Sequence, residues 1–402
     1  MTDVAERLEE LRDRGLYRRL RLVCGPQGPR VLLDGREVLL LCSNDYLGLA
    51  GHPLVREAAA EAAMRWGTGA GASRLISGTM EPHLRLEQRL AEFKGYERAL
   101  LFGSGYLANT GTIAALAGRG EVVFSDELNH ASIVDGCRLA RAETFVYRHA
   151  DLEHLAWGLR GAGERAALIV TDGVFSMDGD VAPLPKLSEL ARRHGCRLMV
   201  DEAHATGAIG PGGRGSVAAA GLGGEADVVV VGTLGKALGS YGAYVCASGE
   251  LTDYLVNTAR PFVFSTAPPP PVVAAADAAV ELLACNAGLV EQLAANAAVL
   301  REALAAQGLD VGGSATQIVP LRVGDADTAM ALSERLLERG VFAQGIRPPT
   351  VPEGSSRLRF TTMATHHPDE LREAAGAVGE TARELGLGAN DAAAEVQHPL
   401  AA

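Results

Sequence analysis

From Arg98 to Gly232 the chain alternates between two kinds of segment, and this alternation limits the fold more than any other feature. Apolar runs of β character occur at 98–102 (RALLF), 121–124 (EVVF), 144–147 (TFVY), 166–171 (AALIVT), 197–200 (RLMV) and 227–232 (DVVVVG). Helical stretches at 107–117, 130–141, 151–160 and 186–194 separate most of them. Strands that alternate with helices predict a mainly parallel sheet covered on both faces, because each parallel crossover lays a helix on the sheet. YGAYVCAS at 241–248 adds a seventh strand.

The flanks read differently. Residues 1–20 have the pattern of an amphipathic helix, with Leu8, Leu11 and Leu16 among charges, and a short β segment with a turn at Asp34-Gly35 spans 30–41. Residues 53–66 and 80–94 read as helices. After the Pro268–Pro271 run an Ala/Leu-rich helical region covers 272–306, and 308–387 reads as strand, helix, strand, helix. With 402 residues, too many for one small core, we expect four parts. These are an N-terminal helix and short β segment at 1–50, a large α/β domain at 51–285, a smaller C-terminal α+β domain at 286–387 and a loose tail at 388–402.

A formal net charge of -12 disfavours broad binding to nucleic acid or an anionic membrane. Six scattered cysteines without a CxxC pair read as reduced thiols. The charged N-terminus lacks the apolar core of a secretory signal and no stretch reads as a membrane span, so the expected location is cytoplasmic.

Five polar residues follow five different β runs: Ser104, His130, Ser176, Asp201 and Lys236. Ligands of open α/β sheets bind beyond the carboxyl ends of the strands, so one crevice can receive all five. Lys236 lies in GTLGKALGS, among small residues just past a buried strand. Burial lowers a lysine pKa, and a neutral amine is what Schiff-base chemistry requires; the alternative is a surface lysine. Asp201 is placed to hold a pyridinium nitrogen, or to act as a turn or helix-capping Asp. His204 is a ring-oxygen partner or a packed turn residue. His130 is a stacking partner for a flat cofactor or a helix cap. Ser104-Gly105 opens a helix whose free N–H groups suit a phosphate. Asp172 shares its strand end with Ser176. A Ser-His-Asp triad can be drawn from Ser176, His204 and Asp201, but no G-x-S-x-G elbow is present. The Asp-Gly-Asp turn at 178–180 lacks the other ligands of a calcium loop, and no His/Cys cluster has zinc spacing, so no metal is expected.

Taken together, SNDYLGL (43–49), GAGASRLISGT (69–79), SDELNHASI (125–133), GVFSMDGD (173–180), DEAHATGAIGPGGRGS (201–216) and GTLGKALG (232–239) resemble the α-oxoamine synthases. These are enzymes of fold type I, like aspartate aminotransferase, that use pyridoxal 5'-phosphate (PLP). The motifs run in order over about residues 15–385. The resemblance implies a PLP-binding large domain with a mainly parallel seven-stranded sheet, and these roles. Lys236 carries the cofactor, Asp201 pairs with the ring nitrogen and His204 with the ring oxygen, and His130 stacks on the ring and is counted with them as catalytic. Ser104, Gly105, Tyr106 and Thr233 lie by the phosphate, and Ser176 by the ring oxygen. Ser265 and Thr266 reach the phosphate of a second subunit, in a homodimer with a shared site. Arg359 clamps the amino-acid carboxylate, Asn44 faces the substrate and Arg18 lies near the acyl donor.

The late motif GIRPPTVPEGSSRLRFT (345–361) resembles the branch that joins L-alanine to a pimeloyl thioester of CoA or acyl carrier protein in biotin synthesis. The start of this segment departs slightly from that branch's usual Ala-Ile-Arg. Three alternatives stay open: another amino acid and acyl-CoA pair, such as glycine with acetyl-CoA; an aminotransferase of the same fold; and a non-catalytic PLP-binding regulator.

Overall fold

The computed structural model describes residues 3–387, so the expected tail at 388–402 lies outside the described residues. An N-terminal helix, Val4–Asp13, buries no side chain. It is shorter than the predicted 1–20: Gly15 takes a left-handed φ of 63°, and residues 16–22 run on without helix. Three short strands follow, β1 (Val23–Cys24), β2 (Arg30–Leu33) and β3 (Arg36–Leu40). The helices Pro53–Trp66 and Glu81–Lys94 lead into the central sheet.

That sheet contains β4 (Arg98–Phe102), β5 (Val122–Asp126), β6 (Glu143–Tyr147), β7 (Ala166–Asp172), β8 (Arg197–Asp201), β9 (Val228–Thr233) and β10 (Ala243–Ala247), in the order β4-β10-β9-β8-β7-β5-β6. β5 to β9 pair in parallel, and β10 runs antiparallel to both β9 and β4. Every strand except β10 therefore points the same way, and the loops after β4, β5, β7, β8 and β9 emerge at one edge. The seven β runs are all strands. Val228–Val231 and Leu198–Val200 are fully buried, as near-continuous apolar runs under helices on both faces must be. Two apolar clusters, one on each face, form the core of this layer.

The C-terminal region adds β11 (Ile318–Gly324), β12 (Val341–Phe342), β13 (Gln344–Ile346) and β14 (Ser356–Thr361). The second predicted strand is thus an antiparallel pair, β13 and β14, joined through the Pro-rich loop 347–355. β12 pairs in parallel with β3, so the N-terminal hairpin is tied to the C-terminal region rather than standing apart. The predicted helix 272–306 is two helices, Pro270–Cys285 and Gly288–Ala306, bent by 82°. The first packs on the helices 53–66 and 81–94, the second on Pro368–Glu384, so the bend redirects the chain from one core to another. Helix Gly249–Thr258, not predicted, packs on β4 and β10. Among the described residues no single helix is long and apolar enough to cross a membrane; only the bent pair passes that test as a unit, and its apolar face is in the core.

Candidate functional site

The strand directions bring Ser104, His130, Ser176, Asp201 and Lys236 to the same edge of the sheet. Asp172 and Asp201 are register partners at the ends of β7 and β8, and both are buried. The backbone N–H of His130 donates to Oδ2 of Asp172 over 2.7 Å, which binds the loop after β5 to the end of β7. Burial raises the Asp172 carboxyl well above its ordinary range, and the neighbouring Asp201 adds to this.

Lys236 follows β9 in a tight turn and is half-buried. Burial of its amine lowers the pKa to about 8; Asp201 and Asp172 oppose that shift and Arg359 adds to it. Nζ lies 2.8 Å from Nε2 of His204, whose Nδ1 is 2.6 Å from the hydroxyl of Tyr46. The Tyr46 hydroxyl donates to Oδ1 of Asn44 at 3.1 Å, and the same oxygen accepts two 3.4 Å bonds from Arg359. One proton assignment satisfies this chain: Tyr46 donates to Asn44, His204 donates from Nδ1 to Tyr46, and the Lys236 amine donates to Nε2. His204 is neutral in it, as burial and the nearby Lys236 and Arg359 require by pushing its pKa well below the usual value. The triad drawn from Ser176, His204 and Asp201 does not form, because both ring nitrogens of His204 are engaged by Lys236 and Tyr46.

Arg359, on β14, is buried and crosses from the C-terminal region into this edge. Its Nε donates to the carbonyl of Ser176 and its Nη2 reaches Tyr46 over 3.3 Å. Two residues along the same strand, Arg357 pairs with Asp178 of the Ser176 loop. The loop turns at Gly179 (φ 71°), where an added Cβ would stand 2.4 Å from the Ser314 hydroxyl. A second pin is His149, held between Asp126 (3.0 Å) and Asp180 (2.8 Å).

Of the two sequence readings of Asp201 and His130, the structure shows the turn and the helix cap. Asp201 Oδ1 accepts from Ala203 N in a turn, and its Oδ2 accepts from Asn109 over 2.6 Å. His130 caps the helix Ala131–Ala140, with its ring exposed at the crevice. Partial burial and Lys236 lower its pKa, against the pull of Asp201. Ser104 caps the twelve-residue helix Gly105–Leu116 by accepting from Leu107 N. The N–H groups of Gly105 and Tyr106, in the first turn of that helix, have no intrahelical acceptor, and a Cβ added at Gly105 would stand 4.0 Å from Thr233 Cβ. Such a cradle fits a phosphate, while the carboxylate of Asp201 and the amine of Lys236 fit the ring nitrogen and aldehyde of PLP.

The side chains of Tyr106, Thr266 and Arg18 make no hydrogen bond to this cluster among the described residues. Tyr106 is exposed and donates its hydroxyl to Asp135. Thr266 bridges Ser73, which fastens the 265–266 segment to the 69–79 loop. Arg18 is exposed on the stretch between Asp13 and β1 and makes no hydrogen bond to the cluster among the described residues. The sequence reading missed Tyr46 and Asn109. Tyr46 lies in the quoted SNDYLGL, where an Asn-x-Tyr spacing puts two polar groups on one turn; Asn109, the one amide on the helix Gly105–Leu116, was a polar residue demanding a buried partner.

The model of the family described as aminotransferase class I and II matches residues 36–378. The 8-amino-7-oxononanoate synthase of Citrifermentans bemidjiense is 57% identical over 96% of this chain and all of its own length. The solved lysine-to-alanine variant of the serine palmitoyltransferase of S. paucimobilis, with a bound PLP–myriocin aldimine, superposes with a TM-score of 0.90 at 34% identity, covering 96% of this chain and 98% of that one. The solved 8-amino-7-oxononanoate synthase of Francisella tularensis gives a TM-score of 0.75 at 28% identity, over 86% of this chain and 98% of its own. This chain belongs to the aminotransferase class I and II family, in its α-oxoamine synthase branch.

Proposed function

We propose that this chain is a PLP-dependent acyltransferase that condenses L-alanine with a pimeloyl thioester, giving 8-amino-7-oxononanoate, CO2 and the free thiol carrier. The observation that carries this reading is the enclosed Lys236 amine, lowered to about 8, beside Asp201 and hydrogen-bonded to His204. PLP bound there supplies an electron sink for the carbanion at the amino-acid Cα. Lys236 is the covalent anchor and, once displaced, the base that takes the Cα proton; an amine near 8 is poised for both tasks close to neutral pH. Asp201 holds a proton on the ring nitrogen, and His204 and Ser176 face the ring oxygen. His130 covers one ring face. Ser104, Gly105, Tyr106 and Thr233 hold the phosphate. Arg359 presents a fixed guanidinium fork to the amino-acid carboxylate, oriented by Asn44, Tyr46 and the Ser176 carbonyl. Arg18 serves the acyl donor.

The working form in this proposal is a homodimer. Phe264 (71% exposed) and Ile76 (80% exposed) flank the bridged Ser265–Thr266 and Ser73 segments as apolar surface suited to a second copy. Ser265 and Thr266 then complete the phosphate site of that copy. The 57% identity to a synthase of this product, against 34% to the serine palmitoyltransferase, favours the alanine and pimeloyl pair over other pairs of the branch. The test is CO2 release across Ala, Gly and Ser with several acyl thioesters. Turnover confined to L-alanine with a pimeloyl thioester is expected. Preference for serine with a long acyl chain, or for glycine with acetyl-CoA, would move the chain to another substrate pair, and pyridoxamine phosphate formed without CO2 would make it an aminotransferase.

A further inference from the structure

Asp201 and His130 are joined through two buried side chains that have no role in the reading above. Nδ2 of Asn109 donates one hydrogen to Oδ2 of Asp201 over 2.6 Å and the other to Oγ of Ser132 over 2.8 Å. Oγ of Ser132 lies 2.7 Å from Nδ1 of His130. Both Asn109 and Ser132 are 1% exposed, and they come from two different helices, Gly105–Leu116 and Ala131–Ala140.

The proton positions in this relay are forced. A carboxylate only accepts, so the Asn109 amide must turn its NH2 toward Asp201; the opposite flip would set Oδ1 against the carboxylate. The structure keeps that orientation although Oδ1 of Asn109 is left buried without a partner, at a cost of about 1–3 kcal/mol for an unmet acceptor. Ser132 receives the second amide hydrogen, so its own hydroxyl hydrogen is free to point at His130. The backbone N–H of Ser132 also points at Nδ1, over 3.3 Å. Two donors therefore converge on Nδ1, which has to be the unprotonated nitrogen, and the ring hydrogen is on Nε2.

We propose that Asn109 and Ser132 are positioning residues that lock His130 as the neutral Nε2–H imidazole and thereby keep the positive charge of the bound cofactor on its ring nitrogen, opposite Asp201. A cationic imidazole stacked on that ring would oppose protonation of the ring nitrogen by like-charge repulsion. The same amide that fixes His130 also fixes the rotamer of Asp201, so one side chain coordinates the two groups that act on the ring. The proposal rests on the PLP reading. The titratable groups that face His130 are Asp201, Asp172 and Lys236, from the ends of β8, β7 and β9, and His204 in the turn after β8.

The test is 15N NMR of the histidine-labelled holoenzyme, with His130 assigned by its loss in His130→Gln, combined with the visible spectrum. In the parent protein the Nδ1 resonance is expected at the position of an unprotonated nitrogen and unmoved from about pH 6 to about pH 9. In Ser132→Ala and Asn109→Leu, His130 is expected to titrate inside that window. The kcat of Ser132→Ala is expected to be about tenfold further below the parent at the acid end than at the alkaline end. Ser132→Thr, which keeps the hydroxyl, is expected to restore the parent behaviour. A protonated Nδ1 in the parent, or a Ser132→Ala imidazole that titrates as the parent does, overturns the relay while the visible band of bound cofactor stays. Absence of that band overturns the PLP reading instead.

Discussion

The amine of Lys236 stands 2.8 Å from Nε2 of His204, and burial pushes both groups toward their neutral forms. Near neutral pH His204 is neutral while the Lys236 amine still holds most of its proton, and a carbonyl carbon brought to Lys236 meets an amine that deprotonates with a pKa of about 8 rather than the ordinary 10.5. Replacement of Lys236 by Ala is expected to abolish the visible absorbance of lysine-bound cofactor and all turnover, while PLP can still be retained noncovalently. A visible lysine-bound band in the variant at full occupancy would rule Lys236 out as the anchor.

Asp201→Asn tests the other end of the ring. The carboxylate accepts from Ala203 N and Asn109; an amide of the same shape fills the same space, loses the charge and can accept from only one of the two. The expected loss is several kcal/mol of carbanion stabilisation, on the order of a hundredfold or more in kcat. Stopped-flow turnover and the spectrum of the bound cofactor report it. A near-parental rate would remove Asp201 from the reaction.

Arg359→Lys is expected to raise the KM for the amino acid more than it lowers kcat. The lysine keeps a positive charge but not the fork that reaches the Ser176 carbonyl, Asn44 and Tyr46 together. Loss of one charge-assisted bond, about 1.5–3 kcal/mol, corresponds to roughly tenfold to a hundredfold in kcat/KM. Steady-state kinetics with the acyl thioester saturating would show it; an unchanged KM would place the carboxylate elsewhere.

His149 makes a pH prediction. Burial alone would lower its pKa, but the hydrogen bonds with Asp126 and Asp180 outweigh burial and raise it to about 10. A histidine raised above its unfolded value, about 6.5, stabilises the fold fully below that value and loses its effect as pH rises through the folded value. The melting temperature of the parent is therefore expected to exceed that of His149→Gln most near pH 6, and the gap is expected to narrow as pH approaches about 10. Differential scanning calorimetry at several pH values checks this. A gap that widens with pH would mean that His149 is held neutral.

The sheet was legible because buried parallel strands leave unbroken apolar runs, as in DVVVVG and AALIVT, whose register needs no partner to be read. The bend between Cys285 and Gly288 was not: both helices are Ala- and Leu-rich, and only the two separate cores they pack against distinguish them. In the site, Lys236, Asp201, His130, Ser104 and Ser176 announce themselves by following β runs. Arg359 comes from a different sheet; its role at the site was implied only by resemblance, and its contacts with Asn44 and Tyr46, more than 310 residues away in sequence, come from the structure. Asn109 and Tyr46 act through side-chain geometry that spacing along the chain does not encode.

Glu202, next to Asp201, tests how the strand end is held from behind. Its carboxylate is fully buried and accepts from Lys94, Ser216 Oγ (2.9 Å) and Val217 N (2.6 Å). Gly215 passes so close, with φ 97°, that an added Cβ would stand 2.2 Å from its Oε2. Glu202→Gln removes the charge that compensates Lys94, itself almost fully buried. Leaving one buried charge unpaired costs about 3–5 kcal/mol, whereas replacing both partners with apolar side chains of like volume is often neutral. Glu202→Gln is therefore expected to lower the melting temperature sharply, and Lys94→Met combined with Glu202→Gln, which removes the unpaired charge and keeps an acceptor for Ser216 Oγ and Val217 N, is expected to recover much of the loss. The double variant also separates stability from chemistry. If the pair only supports the turn that carries Asp201 and His204, the recovered protein binds PLP with the parent spectrum. If the spectrum stays altered after stability returns, the charge of Glu202 acts on the cofactor site through Asp201.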